Sequence, residues 1–356
     1  MRKYAICRQV DGSLAEPPQM KSPEAFKEWI LKQKGLAGKV TVCYEAGLFG
    51  FELARWLKEK KIECLVMAPV RLDEKGKRVE NDKLNAQDIG SRLDRYLAGN
   101  ERALTVCRIP TREEEEARQQ TRLRQQLLDH RNSLDAQGRS LLWQFGELEY
   151  GSRWWENPQW EQISAGVPGK IVEGLSRFRA VIEELNRQLE QLEKKLQEQA
   201  QEALPEGLPK LPVGVGWLTM LVLTREIMAW DRFSNRRQVG CFTGLVPSES
   251  STGESRRQGS VTKVGNRVVR ATLVELAWRM ARFQPECHAI KPWMKILGDK
   301  KAGRSARKKA IVAAARQMGV DLWRLATGQT TCEKLGLRVQ ADPPERARGR
   351  PKEKKA

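Results

Sequence analysis

Val40-Thr-Val-Cys-Tyr-Glu45 is a short β-prone run that ends on a carboxylate, and its surroundings decide the architecture of the first third of the chain. After it, Phe49, Leu53, Trp56 and Leu57 fall on one helical face, and Ile62–Ala68 is a second strand. Pro69–Lys77 reads as a loop, and the helix beyond it carries Ile89, Leu93 and Leu97 on one side. Upstream, Tyr4–Cys7 is β-prone and Asp11-Gly12 is a hairpin signal leading toward Leu14. Ser22-Pro23-Glu24 then opens a helix with Phe26, Ile30 and Leu31 on its apolar face and a stop at Gly35. Strand, helix, strand, helix at this spacing predicts an α/β sheet domain over residues 1–108.

Residues 109–204 differ in kind. Thr111 followed by Glu114 is a capping-box pattern that opens a long charged helix, with an apolar stripe at Leu123, Leu127, Leu134, Leu141, Phe145 and Leu148. Trp154, Trp155 and Trp160 cluster in the break that follows. A second helix carries Ile171, Leu175, Phe178, Ile182, Leu185, Leu189, Leu192 and Leu196 at alternating spacings of four and three. That is a heptad seam and predicts a coiled coil, closed either within the chain or between chains.

Residues 205–338 follow a linker marked by Pro205, Pro209 and Pro212, and are mostly helical by pattern. Gly214-Val-Gly216 precedes an apolar helix over 217–228. Such a turn either points backbone N–H groups at a phosphate, as helix-hairpin-helix elements do, or is simply a tight interhelical turn. Pro247–Gly265 is rich in Ser, Thr, Gly and Arg and is expected to be loop. From Glu254 to Arg270 there are five Lys or Arg and one acid. A hydroxyl beside clustered guanidiniums suits attack on a phosphate, because arginine neutralises the equatorial oxygens while the serine oxygen forms the covalent link. The same composition also fits a serine-rich loop that only touches a phosphate backbone. Lys295–Lys309 holds seven Lys or Arg and one Asp, and precedes the apolar run Ala310–Ala315. It reads as an amphipathic helix whose basic side is phosphate-facing or merely solvated. Residues 339–356 end in a Pro- and Gly-containing basic stretch that reads as a disordered tail.

Composition narrows the function classes. The 356 residues carry 64 Lys and Arg against 45 Asp and Glu, a formal charge of +19, which points to nucleic acid as partner. Seven Cys without a CxxC pair and only two His disfavour zinc motifs and a disulfide framework, and fit a reducing cytoplasm. Apolar runs are short and interrupted by charge, so neither a membrane span nor a secretory signal is expected. Glu45, at the carboxyl end of a strand, and Asp82, at the start of a helix, are the candidate metal carboxylates. Oxygen ligands of this kind suit Mg²⁺, although an Asp at a helix start is also an ordinary cap.

Several motifs, in order, resemble the bacterial insertion-sequence transposases of the one-ten type, the bridge-RNA-guided recombinases. Tyr44-Glu-Ala-Gly47 is similar to the second acidic motif of their RuvC-like DEDD domain. Arg78-Val-Glu-Asn-Asp82-Lys-Leu-Asn85-Ala86 is similar to the stretch with the last two carboxylates, and Leu93–Asn100 follows it. Pro212–Gly216, Gly244–Ser248, Ser251-Thr-Gly253, Arg256-Arg-Gln-Gly259, Val261–Asn266 and Trp323–Gly328 resemble the C-terminal transposase domain.

The resemblance implies an α/β RuvC/RNase H-like domain, a helical coiled coil, and a mostly α-helical C-terminal domain with a helix-hairpin-helix-like start. It implies a transposase that cuts and rejoins DNA through a serine-linked intermediate, with Ser251 as nucleophile and Ser250 and Thr252 as the neighbouring alternatives. Glu45, Asp82 and Asn85 would hold Mg²⁺, and Arg256, Arg257, Lys263, Asn266, Arg267 and Arg270 would contact nucleic acid. A structured guide RNA would choose the sequence, and the coiled coil would join protomers into a homo-oligomer. In the family a strand ending in the first catalytic Asp precedes the segment that Tyr4–Cys7 matches, and Asp11 belongs to the hairpin turn. The fourth acidic position is Asn85. An N-terminally shortened, catalytically impaired copy is therefore the expectation, with a non-catalytic DNA- and RNA-binding remnant as the alternative. A junction-resolving nuclease that shares the first domain would give the serine segment no role.

Overall fold

Asp11 and Gly12 take positive φ values of 49° and 79°, the geometry of a tight two-residue turn. They join strands β1 (Tyr4–Val10) and β2 (Ser13–Lys21), which pair antiparallel with Val10 opposite Ser13. The computed structural model of the chain describes residues 3–47, 50–69, 81–200, 204–205, 208–252, 255–299 and 301–339. These fall into two units, Met1–Thr111 and Arg112–Ala356.

In the first unit, helix α1 (Pro23–Leu36) starts where Ser22 Oγ accepts from Ala25 N at 3.2 Å. Strand β3 (Thr41–Glu45), helix α2 (Glu52–Glu59) and strand β4 (Glu63–Met67) form a parallel βαβ unit with Thr41 opposite Glu63 and Glu45 opposite Met67. Helix α3 (Asp82–Leu97) packs on β1, β2 and β3. Phe26 and Ile30 of α1, Leu57 of α2 and Ile62 form the core, joined by Tyr4, Val42 and Cys64 from three strands. The alternating α/β pattern is thus realised. The strands make two separate two-stranded ladders, however, and none joins β1 to β3 among the described residues. The loop read over Pro69–Lys77 falls almost wholly outside the described residues.

In the second unit, helix α4 (Arg112–Gln144) runs antiparallel to α6 (Gly169–Ala200), with α5 (Gln159–Gly166) between them in sequence. Arg124 bonds Glu193 and Arg131 bonds Asn186, which fixes that direction. The heptad residues Ile171, Leu175, Ile182, Leu189 and Leu196 are buried, while Phe178, Leu185 and Leu192 are half-buried. The seam is therefore covered from within the unit, by α4 along most of its length. At its C-terminal end Leu196 packs on Leu221 of helix α7 (Trp217–Ile227). One part of the α4 stripe differs from expectation. The helix ends at Gln144, Gly146 takes φ 85°, and Leu123, Phe145 and Leu148 are exposed.

Helices α7, α8 (Arg236–Thr243), α9 (Arg267–Phe283), α10 (Met294–Leu297) and α11 (Arg304–Ala326) share the largest core. Its centre is Leu223, Val269, Leu273, Leu276, Met280 and the small residues Ala310, Ala314 and Ala315. Small side chains let α11 approach α9 closely, and at Gly319 an added Cβ would sit 3.1 Å from Leu273. Between α8 and α9 the chain forms an antiparallel hairpin of β5 (Pro247–Thr252) and β6 (Ser255–Val261). This corrects the expectation of loop for Pro247–Gly265. Only two residues separate the strands in sequence, and the hydroxyl-rich composition that reads as loop tolerates a two-stranded ladder equally well. The basic tail over 339–356 lies outside the described residues except for Val339.

Candidate functional site

The hairpin is anchored at its base by two glycines whose backbone only glycine adopts easily. Gly244 (φ 65°) ends α8, and a Cβ there would come within 2.6 Å of Arg270 Nη1 and 2.8 Å of Val264 O. Gly265 (φ 141°) lies so close to α8 that a Cβ would meet Phe242 O at 2.5 Å. Thr262 N donates to Val246 O at 2.9 Å, Lys263 N to Gly244 O at 3.1 Å, and Asn266 N to Phe242 O at 2.7 Å. Ser248 Oγ donates across the ladder to Ser260 O at 3.0 Å. Beyond this base the register sets Ser250 opposite Arg257 and Ser251 opposite Arg256. A serine and an arginine that are distant as loop residues thus become cross-strand neighbours, which is the closest relation that an antiparallel ladder offers.

Four of the other residues predicted to contact nucleic acid are also located. Asn266 caps α9, its Oδ1 accepting from Val268 N and Val269 N at 2.9 and 3.1 Å. Its Nδ2 donates to Glu226 Oε2 at 2.7 Å. Arg270 Nη1 donates to Thr243 O and Lys263 O at 3.3 and 3.1 Å and so clasps the hairpin base. Lys263 (φ 57°) and Arg267 are exposed. Asn266 and Arg270 therefore hold the hairpin, and Lys263 and Arg267 extend from the protein next to it.

Sequence reasoning passed over the group that steadies this arrangement. Glu226, its side chain fully buried, accepts two bonds from Arg122 of α4, at 2.7 and 2.8 Å, in addition to the one from Asn266. The bond from Arg122 raises that guanidinium's pKa, so α4, α7 and the start of α9 are tied by a charge-assisted knot. No local pattern marks Glu226, because its partners lie 104 and 40 residues away. A second unforeseen pair is His288 with Asp321. His288 Nδ1 lies 2.9 and 3.1 Å from the carboxylate oxygens, and Gln317 Nε2 donates to the same buried carboxylate at 2.8 Å. The Gly214–Gly216 turn is half-buried and packs on α9. Gly214 (φ 88°) lies against Met280 and Phe283, and Val213 N donates to Arg338 O.

The carboxylate candidates belong to the first unit. Glu45 ends β3 half-buried, beside Tyr44, whose phenol burial pushes up to about 12. Asp82 is the first residue of α3, yet Asn81 makes the capping bond, Oδ1 accepting from Lys83 N at 2.9 Å. The competing role of Asp82 as a cap is thus taken by its neighbour, and its carboxylate is exposed. Asn85 follows one turn later, half-buried. No group of three His, Cys, Asp or Glu able to hold a metal occurs among the described residues. Glu45 on β3 and Asp82 and Asn85 on α3 lie on elements that pack against each other.

Comparison with known proteins gives this geometry its context. Residues 211–291, which include the serine hairpin and α9, match the transposase IS116/IS110/IS902 family. The chain is 29% identical to y4rJ of Sinorhizobium fredii, named as a transposase, over 94% of this chain and 87% of that protein. It is 30% identical to y4qE of the same organism, also named as a transposase, over 69% of this chain and 60% of y4qE. It is 24% identical to the transposase for insertion sequence element IS1111A of Coxiella burnetii, over 71% of this chain and 68% of that one. By class this is a transposase, a protein that acts on DNA. The family match and these relatives support an IS110-family transposase. No helix among the described residues is long and apolar enough to cross a membrane.

Proposed function

We propose that this transposase mobilises an insertion sequence by cutting and rejoining DNA through a serine-linked intermediate, with Ser251 as nucleophile. Ser251 Oγ attacks the phosphorus of a DNA phosphodiester. An Oγ–P bond forms and one phosphorus–sugar oxygen bond breaks. The sugar oxygen leaves as a hydroxyl, taking up a proton as the serine gives one up, and attack by a sugar hydroxyl on the phosphoserine reverses the step. Arg256, the cross-strand neighbour of Ser251, neutralises the non-bridging oxygens, while Arg257 falls opposite Ser250 on the alternate face of the ladder. The observation that supports this reading is the β5–β6 register, which sets Ser251 opposite Arg256 within the segment that matches the family. Glu45, Asp82 and Asn85 would hold Mg²⁺, which when bound offsets phosphate charge. A structured guide RNA supplies the sequence choice and a homo-oligomer assembles the complex.

The test is to trap covalent protein–DNA adduct with labelled substrate DNA in the presence of guide RNA and Mg²⁺. Adduct is expected with the native chain and absent in Ser251→Ala. If it persists there and disappears in Ser250→Ala or Thr252→Ala, the nucleophile is the neighbour. Salt-sensitive DNA binding without adduct in any variant makes the chain a binding protein without chemistry. Cutting of four-way junctions that survives Ser251→Ala assigns the chemistry to the first unit.

A further inference from the structure

Helix α7 joins the α4–α6 hairpin to the core beneath the serine hairpin. Leu221 packs on Leu196 and Ala200 of α6, while Met220, Leu223 and Ile227 share a core with Val269 of α9. Apolar burial holds helices together without fixing their direction. The polar contacts of α7 do fix it. Arg225 Nη1 donates to Ala117 O of α4 at 3.0 Å, and its Nη2 donates to Gln199 Oε1 of α6 at 2.6 Å. Its neighbour Glu226 receives the fork of Arg122, Nε on Oε1 and Nη2 on Oε2. Two parallel bonds set both the separation and the plane of such a pair.

Glu226 passes that constraint to Asn266, whose polar groups are all engaged. Nδ2 donates to Glu226 Oε2, Oδ1 caps α9, the backbone N–H donates to Phe242 O of α8, and the carbonyl accepts from Arg270 N. Asn266 directly follows Gly265, where a Cβ would meet backbone at 2.5 Å, so the chain leaving β6 has no slack at this point. A buried ion pair is an inefficient way to gain stability. Its desolvation offsets its attraction, and apolar side chains of similar volume often do as well or better. Orientation is what an apolar pair does not supply.

We infer that Arg122 and Glu226 are positioning residues for the serine hairpin. They set the orientation of β5–β6 against the α4–α6 hairpin, so that a displacement of α4 reaches Ser251 through Glu226 and Asn266. Neither is placed at the reacting phosphate. They act by fixing where the hairpin base stands, and a nucleophile displaced by about 1 Å loses on the order of 100-fold in rate. The catalytic consequence rests on the reading of Ser251 as nucleophile, whereas the orienting role rests on the bonds alone.

The experiment uses the full chain and two variants that break the connection while sparing the fold. Arg122→Met/Glu226→Met replaces the whole pair, and Asn266→Ser keeps a capping oxygen for α9 but loses the donor to Glu226. Hydrogen exchange is read at the Thr262, Lys263 and Asn266 amides, which donate to Val246 O, Gly244 O and Phe242 O at the hairpin base. Exchange there is expected to quicken about tenfold or more, with native protection in the middle of α9. Adduct formation at saturating DNA should slow by about 10- to 100-fold, while the DNA concentration for half-maximal rate stays native. Native exchange at the three amides overturns the inference. Faster exchange spread equally through α9 also overturns it, because that is the mark of a merely stabilising pair. Adduct formation that stays native, or that more DNA restores, overturns it as well. If the double variant does not fold, Asn266→Ser decides alone. If the native chain forms no adduct, the serine reading fails, and exchange at the hairpin base still decides the orienting role.

Discussion

Gly138 sits in the middle of a 33-residue helix, where composition alone gives no reason for a glycine. Trp154 supplies the reason. A Cβ at position 138 would lie 2.1 Å from its ring, which is fully buried and held by a 3.0 Å bond from Nε1 to Asp135 O. Gly138→Ala therefore gains about 1 kcal/mol of helix propensity and loses more to overpacking, for a net loss of about 1–2 kcal/mol. In a Trp154→Ala background the same change should stabilise. Thermal or urea unfolding of the four proteins decides the cycle, and a more stable Gly138→Ala single variant would contradict the packing described. Glu226 has the opposite character, a charge in the core whose removal strands its partners. Glu226→Ala leaves the Asn266 amide and a half-exposed Arg122 without their acceptor. We expect roughly 2–3 kcal/mol in urea unfolding, below the value for a fully buried pair because Arg122 retains access to water. The same variant should lower adduct formation more than it lowers DNA affinity, since Asn266 holds the hairpin base.

At the scale of elements, the β3–β4 pair carries a pH dependence of its own. Burial pushes the Cys43 thiol up to about 11 and Cys64, with Cys43 beside it, up to about 12. Both are acids whose folded pKa is raised from about 9. Their contribution is complete below pH 9 and is lost as pH rises through 11 to 12, when the unfolded chain ionises first. Urea midpoints of the first unit should fall steadily between pH 9 and 12, and less steeply in Cys64→Val. A midpoint that stays flat over that range would remove the case for thiol burial. The α6 seam and the β5–β6 hairpin differ in how far their sequences specify them. Eight apolar residues at spacings of four and three allow one periodic reading, and the structure buries or half-buries all of them. Ser, Thr, Gly and Arg in Pro247–Gly265 have no period, and the ladder there depends on closure of α8 against α9 at Gly244 and Gly265.

Across the whole molecule, each described apolar cluster draws its residues from one of the two units, and the sequence distinguishes them by pattern. Alternating strand and helix signals give the first, and long helical periods give the second. Glu45 at a strand end and Asp82 at a helix start were legible because a carboxylate at the edge of a periodic element stands out locally. The pairing of Ser251 with Arg256 was not, because ladder register is a relation between strands that neither strand contains. Nor was the double employment of Asn266, whose cap role is local and whose bond to Glu226 spans 40 residues. Sequence by itself determined the helices, the βαβ unit, the basic stretches and the family, since these follow from spacing and side-chain type along one chain. Tertiary structure alone decided that the heptad seam is covered from within its unit, and that Ser250 and Ser251 stand opposite Arg257 and Arg256 in the register of a hairpin. Those outcomes depend on which distant groups approach to within a few ångströms, and the free energy of such an approach is fixed only when the whole core has closed.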